Sequence, residues 1–363
     1  MVARRPLRLS AIMVLLGGLV AVPSFADNTP QEDKELYELF KVFVDTLDQV
    51  ERNYVKEIDR RILIEAAIKG MIDKLDPYSN YISPEDLARF KRSVESKFGG
   101  VGIQIGVNGG NLTIISPLAG TPAYRAGLHS GDHIVEIEGK TTKGISLDQA
   151  VKRLKGPAGT SVKIKVRKAF TTKTRDVILK REVIRIQTVL ADSRKSNDNW
   201  DYMFDHEKKI GYIRVTGFSR ETYNELRVAL KELEGEELRG LIVDLRFNPG
   251  GLLDVAIKMC DLFVSEGKIV STKGRNTKER KWEASKTGTF EGFPVAILVN
   301  RFSASASEIF AACLQDHNRA IVIGERTWGK GSVQNVIDLE EGKSALKLTT
   351  ASYWRPSGKN IHR

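Results

Sequence analysis

Leu241-Ile242-Val243-Asp244-Leu245-Arg246-Phe247-Asn248-Pro249-Gly250-Gly251 is the stretch on which the fold turns. A short apolar run of this kind reads as a strand buried on both faces. Asn-Pro-Gly-Gly ends it as a turn, and an apolar helical pattern over residues 252–264 follows. The alternation extends both ways. Upstream, residues 210–215 read as a strand and 222–233 as a helix. Downstream come strands at 268–271 and 295–299, a helix from near Ala306, and another buried strand at 320–323. Such alternation predicts an α/β layer on a mostly parallel sheet. Open sheets of this class place their chemistry beyond the carboxyl ends of the strands, where the Gly pair falls. Paired glycines there can present backbone N–H groups to an oxyanion.

Two further segments carry reactive groups. Ser303-Ala304-Ser305-Ala306-Ser307-Glu308 lies at a strand-to-helix junction. Small residues there expose a hydroxyl, and a helix N-terminus favours developing negative charge. Ser305-x-x-Glu308 is equally a capping box, so Ser305 reads as structural as readily as reactive. The spacing alone does not choose among Ser303, Ser305 and Ser307. Gly324-Glu325-Arg326-Thr327-Trp328-Gly329-Lys330-Gly331-Ser332-Val333-Gln334 imitates a phosphate-binding loop. It fails where Gly331 replaces the required Ser or Thr, and a strand-like segment follows in place of a helix. A lone lysine in such a turn is ordinarily a solvated charge. Cys260 and Cys313 lie in apolar helices and read as buried, unpaired thiols.

Between residues 98 and 182 the period is that of strands. Val101, Ile103, Ile105 and Val107 alternate across Gly102, Gln104 and Gly106, and Asn108-Gly109-Gly110 is a hairpin signal. Ser146 and Gln149 form a capping box for a helix carrying Leu147, Val151 and Leu154. The Gly-rich run Gly99-Gly100-Val101-Gly102-Ile103 lets backbone N–H groups converge on an anion. Upstream, Leu36, Phe40, Phe43, Leu47, Val50 and Tyr54 form one apolar stripe on a helix. Ile64, Ile68, Met71 and Leu75 repeat it on a second, and Ser83-Pro84 caps a third. The first stripe serves packing against the body or a homo-oligomer contact.

The 363 residues, 41% of them hydrophobic, are enough for two or three domains. Arg4, Arg5 and Arg8 precede an apolar run over residues 9–22 and a small-x-small site ending at Ala26. This is the grammar of a secretory signal peptide, and the run is shorter than the ~18–20 residues that span a bilayer. The reading is export to the periplasm or the extracytoplasmic membrane face, with an uncleaved anchor as the alternative. The net charge is +11, and without residues 1–26 it is +8. For an exported protein that charge favours peripheral membrane association over nucleic acid as a partner. Two cysteines exclude a disulfide scaffold. Five scattered histidines without paired-ligand spacing give no metal site, and no cofactor motif is present.

Phe98 to Ile103 and Ala123-Tyr124-Arg125-Ala126-Gly127-Leu128, with Gly131-Asp132, resemble a PDZ domain. In that resemblance Gly99, Gly100, Val101, Gly102 and Ile103 bind a substrate's terminal carboxylate. Taken together, the three segments of the α/β layer resemble the carboxyl-terminal processing, or tail-specific, peptidases. The resemblance implies an α/β peptidase core of ClpP/crotonase-like fold with an inserted PDZ domain. The division it implies is a signal peptide over 1–26, an N-terminal helical region over 27–97, a PDZ domain over 98–182 and the core over 183–363. It implies a Ser–Lys serine endopeptidase acting on proteins with unstructured C-terminal tails. Ser305 matches the nucleophile, Lys330 the general base, and Gln334 a residue that orients the lysine. The N–H groups of Ala306 and Gly251 match the oxyanion hole. A working base requires a desolvated Lys330, with Trp328 and the 320–323 strand as the expected dry surroundings. Arg301-Phe302 departs from the small or polar residues common at that point. The family usually continues past Tyr353–Gly358, which leaves a non-catalytic PDZ adaptor, its peptidase half inactive through truncation, as the alternative function.

Overall fold

The computed structural model describes residues 30–87, 90 and 97–362. The signal-peptide reading of residues 1–26 lies outside them, as does most of the helix expected after Ser83-Pro84. The chain divides into two units, Met1–Ile68 and Lys69–Arg363. Among the described residues no helix is long and apolar enough to cross a membrane.

In the first unit the expected stripe lies on the helix Pro30–Asn53. Leu36, Tyr37, Phe40 and Phe43 are exposed on it. A second helix begins at Arg60, whose guanidinium pairs with Glu51 at 2.6 Å. It ends at Ile72, so Leu75 falls in the turn beyond it.

The second unit holds the rest. A short two-stranded ladder pairs Lys97–Gly100 with Glu182–Arg185 and brings together the two ends of the intervening segment. That segment forms a sheet in the order Ile103–Asn108, Asn111–Pro117, His133–Ile137, Ser161–Arg167, Thr174–Lys180. Gly109 and Gly110 turn the first hairpin with φ of 54° and 75°, as a primed turn requires. Leu112, Ile114, Ile134, Ile137 and Ile164 fill its core. The capping box forms at Ser146 and Gln149, and the helix Leu147–Leu154 buries Ala150 and Leu154.

The larger core carries a sheet in the order Val189–Leu190, Ile210–Val215, Gly240–Asp244, Val295–Val299, Ala320–Gly324. The last four run parallel. Helices Thr222–Gly235, Leu253–Asp261 and Ala306–Asp316 cover it with buried Leu226, Leu230, Met259 and Phe310. Phe263 meets Phe310 edge-on at 5.7 Å. Cys260 and Cys313 are free and buried. They are also neighbours, which their separation in sequence conceals: burial pushes the Cys260 thiol up, and Cys313 beside it adds to the effect.

One expectation needs correction. Ala320–Gly324 is not a buried strand but the edge of the parallel sheet, with Ile321 and Ile323 exposed. Apolar composition cannot tell a central strand from an edge strand, nor show that the face carrying Ile321 and Ile323 is left uncovered. A second sheet is antiparallel. Asn80–Ile82, Ser344–Trp354, Lys268–Gly274 and Thr277–Glu283 lie in that order, and Ser332–Leu339 pairs with Ser344–Trp354.

Candidate active site

Ser303 to Ser307 make the turn from the strand Val295–Val299 into the helix Ala306–Asp316. Two of the three serines there are committed to the scaffold. Ser303 Oγ donates to the Leu245 carbonyl at 2.8 Å and accepts from Asn300 N at 3.0 Å. Ser307 Oγ donates to the Asn248 carbonyl at 3.0 Å. Both are fully buried, whereas Ser305 is half-buried. Its φ of 57° and ψ of −115° are unlike the extended backbone of an ordinary N-cap. A β-carbon residue holds that region only where its surroundings impose it, as at reactive turns. Backbone conformation and burial thus separate Ser305 from its neighbours, a choice that spacing left open.

The Gly pair lies against this turn. A β-carbon at Gly250, whose φ is +95°, would come 2.6 Å from the Ala304 carbonyl and 2.8 Å from Ala306 N. Gly250 N donates to Asn248 Oδ1 at 2.8 Å, and the Gly250 carbonyl accepts from Phe218 N at 3.0 Å. A trans peptide points the following N–H, that of Gly251, away from that carbonyl. Ala306 N is among the first-turn donors that a helix leaves without an internal partner. Asn248, fully buried, stitches the loop down: its amide donates to Val215 O at 2.8 Å and its carbonyl accepts from Ala304 N at 3.0 Å. Just upstream, Asp244 takes Arg246 and the Tyr212 hydroxyl, at 2.7 and 2.8 Å. Burial pushes the Asp244 carboxyl up, but these hydrogen bonds outweigh it and leave it lowered.

Glu308 connects this turn to the lysine segment. It is 4% exposed. Oε2 accepts from Ser305 N and Lys330 N, both at 2.8 Å. Oε1 accepts from Gly329 N at 2.6 Å and the Thr327 hydroxyl at 2.7 Å. One carboxylate therefore uses its lone pairs to hold the backbones of both candidate residues. Sequence reading assigned Glu308 only to a capping box. Its span to residues 327–330 has no local signature.

Lys330 is half-buried. Burial pushes its pKa down and the positive charge of Lys347 adds to this, while Asp76 and Glu308 oppose it. Its Nζ lies 4.9 Å from the centroid of the Tyr78 ring. Among the described residues no hydrogen bond joins Lys330 Nζ to Ser305 Oγ. Asp76 organises the turn that carries Tyr78, accepting from Tyr78 N, Ser79 N and the Ser79 hydroxyl at 2.7, 2.9 and 2.8 Å. Gln334 Nε2 donates to Ser332 Oγ at 2.8 Å and Thr349 Oγ1 at 3.2 Å, not to Lys330. Thr349 Oγ1 in turn donates to Asp76 at 3.2 Å, which links Gln334 to the turn that carries Tyr78. The expected dry surroundings also differ. Trp328 is half exposed, its indole N–H 3.3 Å from the Tyr78 hydroxyl, and the Ala320–Gly324 strand is an exposed edge. The sequence reads Asp76 to Asn80 as a turn and gives Tyr78 no part in the site, because that turn lies some 250 residues away along the chain.

In the inserted domain, the carbonyls of Gly99, Val101 and Gly102 accept from Gly156 N, Ala123 N and Leu118 N. Trans peptides then turn the N–H groups of Gly100, Gly102 and Ile103 to the opposite side. Ile103–Asn108 is the edge strand of its sheet. Ile103 is half-buried there, and Leu147 of the neighbouring helix is exposed.

Comparison with known proteins agrees with this architecture. Residues 209–363 match peptidase family S41, 89–167 match the PDZ domain, and 20–86 match the activating protease CtpB N-terminal domain. The chain is 38% identical over 338 residues to the carboxy-terminal-processing protease of Bartonella bacilliformis, covering 92% of this chain and 75% of that one. It is 36% identical to the carboxy-terminal processing protease CtpA of Bacillus subtilis, covering 87% of this chain and 65% of that one. A putative S41 protease from Bacteroides fragilis shares the fold, with a TM-score of 0.51 at 18% identity over 86% of each chain. A PDZ domain within a serine peptidase of family S41 is thus the class. The chain belongs to the carboxy-terminal processing proteases of that family.

Proposed function

We propose that this chain is an exported serine endopeptidase in which Ser305 attacks and Lys330 serves as base. The observation that carries the proposal is the Glu308 carboxylate, which binds the backbone N–H groups of both residues. A hydroxyl becomes an effective nucleophile when a base takes its proton, and only the neutral amine of a lysine can do so. Half-burial and the Lys347 charge both disfavour the ammonium. The Tyr78 ring favours it. The arrangement over Tyr78 is accordingly a resting one: loss of the proton ends the cation–π attraction and frees the amine to reach Ser305. The N–H groups of Gly251 and Ala306 then receive the oxyanion. Gln334 acts on Lys330 indirectly, by bracing the Tyr78 turn.

The PDZ domain supplies the tail recognition. An extended peptide adds to the open edge of Ile103–Asn108, its carboxylate meeting the N–H groups of the 99–103 loop and its last side chain packing on Ile103, Leu147 and Val151. The substrates are proteins with unstructured C-terminal tails. The exposed Leu36–Phe43 face supports a homo-oligomer, and the charge of the exported chain supports peripheral membrane association. The parallel core, crossed by helices and faced by an antiparallel sheet, follows the ClpP/crotonase-like plan. The test is turnover of a disordered peptide by the purified chain beside its Ser305→Ala form. Cleavage that persists in Ser305→Ala sinks the assignment.

A further inference from the structure

A cleft of about 810 Å³ opens between the two loops that carry Ser305 and Lys330. Tyr78, Phe302 and Trp328 line it, with Arg301 and Arg326 among its walls. The loops are tied there by a bond from Trp328 N to the Ser303 carbonyl at 3.0 Å. Phe302 stacks on Phe247, ring centroids 5.4 Å apart, and the two are 43% and 61% exposed. A surface pair of this size is normally dispersed or covered.

The pair is held in place by the scaffold. Asn300 Oδ1 accepts from Phe247 N at 3.0 Å and from Phe302 N at 3.1 Å. Phe247 has a φ of 63°, a region that costs a bulky residue about 1–3 kcal/mol. The surroundings therefore impose the position of this ring, which stacks on the cleft residue Phe302.

Among the residues that line the cleft, two are arginines and one is an acid. The Arg301 guanidinium lies 5.1 Å from the Phe302 centroid, and among the described residues neither Arg301 nor Arg326 makes an ion pair. One acid, Asp76, lines the cleft with them, and Glu325 precedes Arg326 in the chain. Asp76 is occupied by Tyr78 N, Ser79 and Thr349. Glu325 accepts from Arg301 N at 3.3 Å. Lys330 adds a further positive charge whenever its amine is protonated.

We propose that this cleft is the specificity subsite beside the scissile bond, and that it selects a substrate segment pairing a large apolar side chain with an adjacent Asp or Glu. The apolar side chain packs on Phe302 and Trp328, where aromatic faces supply wide contact at small entropic cost. The carboxylate meets Arg301 and Arg326, guanidinium forks suited to it. This inference rests on the peptidase reading, which supplies the scissile bond. It is separate from tail capture, which takes place in the PDZ groove.

The experiment uses unstructured peptides with one common C-terminal tail and an internal Leu-Glu, Leu-Gln, Leu-Lys or Ala-Glu pair. The full chain should cleave next to Leu-Glu with a kcat/KM about tenfold above Leu-Lys and about tenfold above Ala-Glu, each tenfold being ~1.4 kcal/mol. Arg301→Glu should reverse the Glu-over-Lys preference, and Phe302→Ala should flatten Leu over Ala. Arg326→Glu is a second charge reversal and should act in the same direction. Binding of the four peptides to the Ser305→Ala chain, followed by Trp fluorescence, reads the same preferences without chemistry. Cleavage or binding that ranks the peptides identically in wild type, Arg301→Glu and Arg326→Glu overturns the subsite and leaves the peptidase reading standing. Binding with the expected ranking but no cleavage overturns the peptidase reading and keeps the subsite.

Discussion

The two places where this chain is proposed to meet a peptide are built in opposite ways. The PDZ groove is nearly continuous in sequence: its Gly-rich loop, edge strand and flanking helix all lie between residues 99 and 154. The peptidase site is drawn from four distant segments, around residues 76–79, 244–251, 303–308 and 327–330. Local turn chemistry shapes the first. A buried carboxylate and a buried amide, those of Glu308 and Asn248, join the second. A continuous site tolerates single changes by local adjustment. A stitched site should fail as a unit when one stitch is cut.

The predictions test that contrast, from the largest effect down. Lys330→Arg should lower kcat by ~10⁴-fold or more, because a guanidinium stays protonated and cannot serve as base. Single-turnover assays would show it, and an active Lys330→Arg enzyme would end the dyad assignment. Ser305→Ala and the double variant Ser305→Ala/Lys330→Ala should lose comparable amounts, since the pair acts together.

Glu308→Gln should come next, with kcat down ~10²-fold. An amide has two donors and cannot accept from Ser305 N, Gly329 N, Lys330 N and Thr327 together. Melting temperature should fall as well, because buried donors lose their partner. Activity equal to wild type would show that the clamp does not position the dyad.

The PDZ groove should respond more mildly. A peptide with a free C-terminus should bind about tenfold tighter than its amide, as measured by calorimetry. Equal binding and cleavage of the two would remove carboxylate capture while leaving the peptidase site untouched.

The smallest effect is a pH shift. The proposed mechanism requires neutral Lys330, so activity should rise as pH climbs through a pKa held below the ordinary lysine value. Lys347→Gln removes a charge that disfavours the ammonium. The Lys330 pKa should then rise, and the activity profile should move to higher pH. Asp76 opposes the lowering, so Asp76→Asn should move the profile the other way. A profile unmoved in both variants would mean that another group titrates.

The sequence alone determined the elements whose causes are local. Strand runs, the Gly109-Gly110 hairpin, the Ser146 capping box and the alternation that makes a parallel layer are encoded by neighbouring residues, and the structure contains each of them. The segment resemblance singles out Ser305 and Lys330 for the same reason, as each sits in a short motif. Tertiary structure alone decided what depends on distant partners. It buried Ser303 and Ser307 and left Ser305 half-buried, made Ala320–Gly324 an exposed edge, and set Cys260 beside Cys313. It also put Tyr78 beneath Lys330, moved Gln334 onto Ser332 and Thr349, and spent all of Glu308 on one clamp. Hydrogen bonds and burial across 20 to 270 residues leave no period or spacing in a sequence, because they are settled only when the packed chain chooses which groups meet.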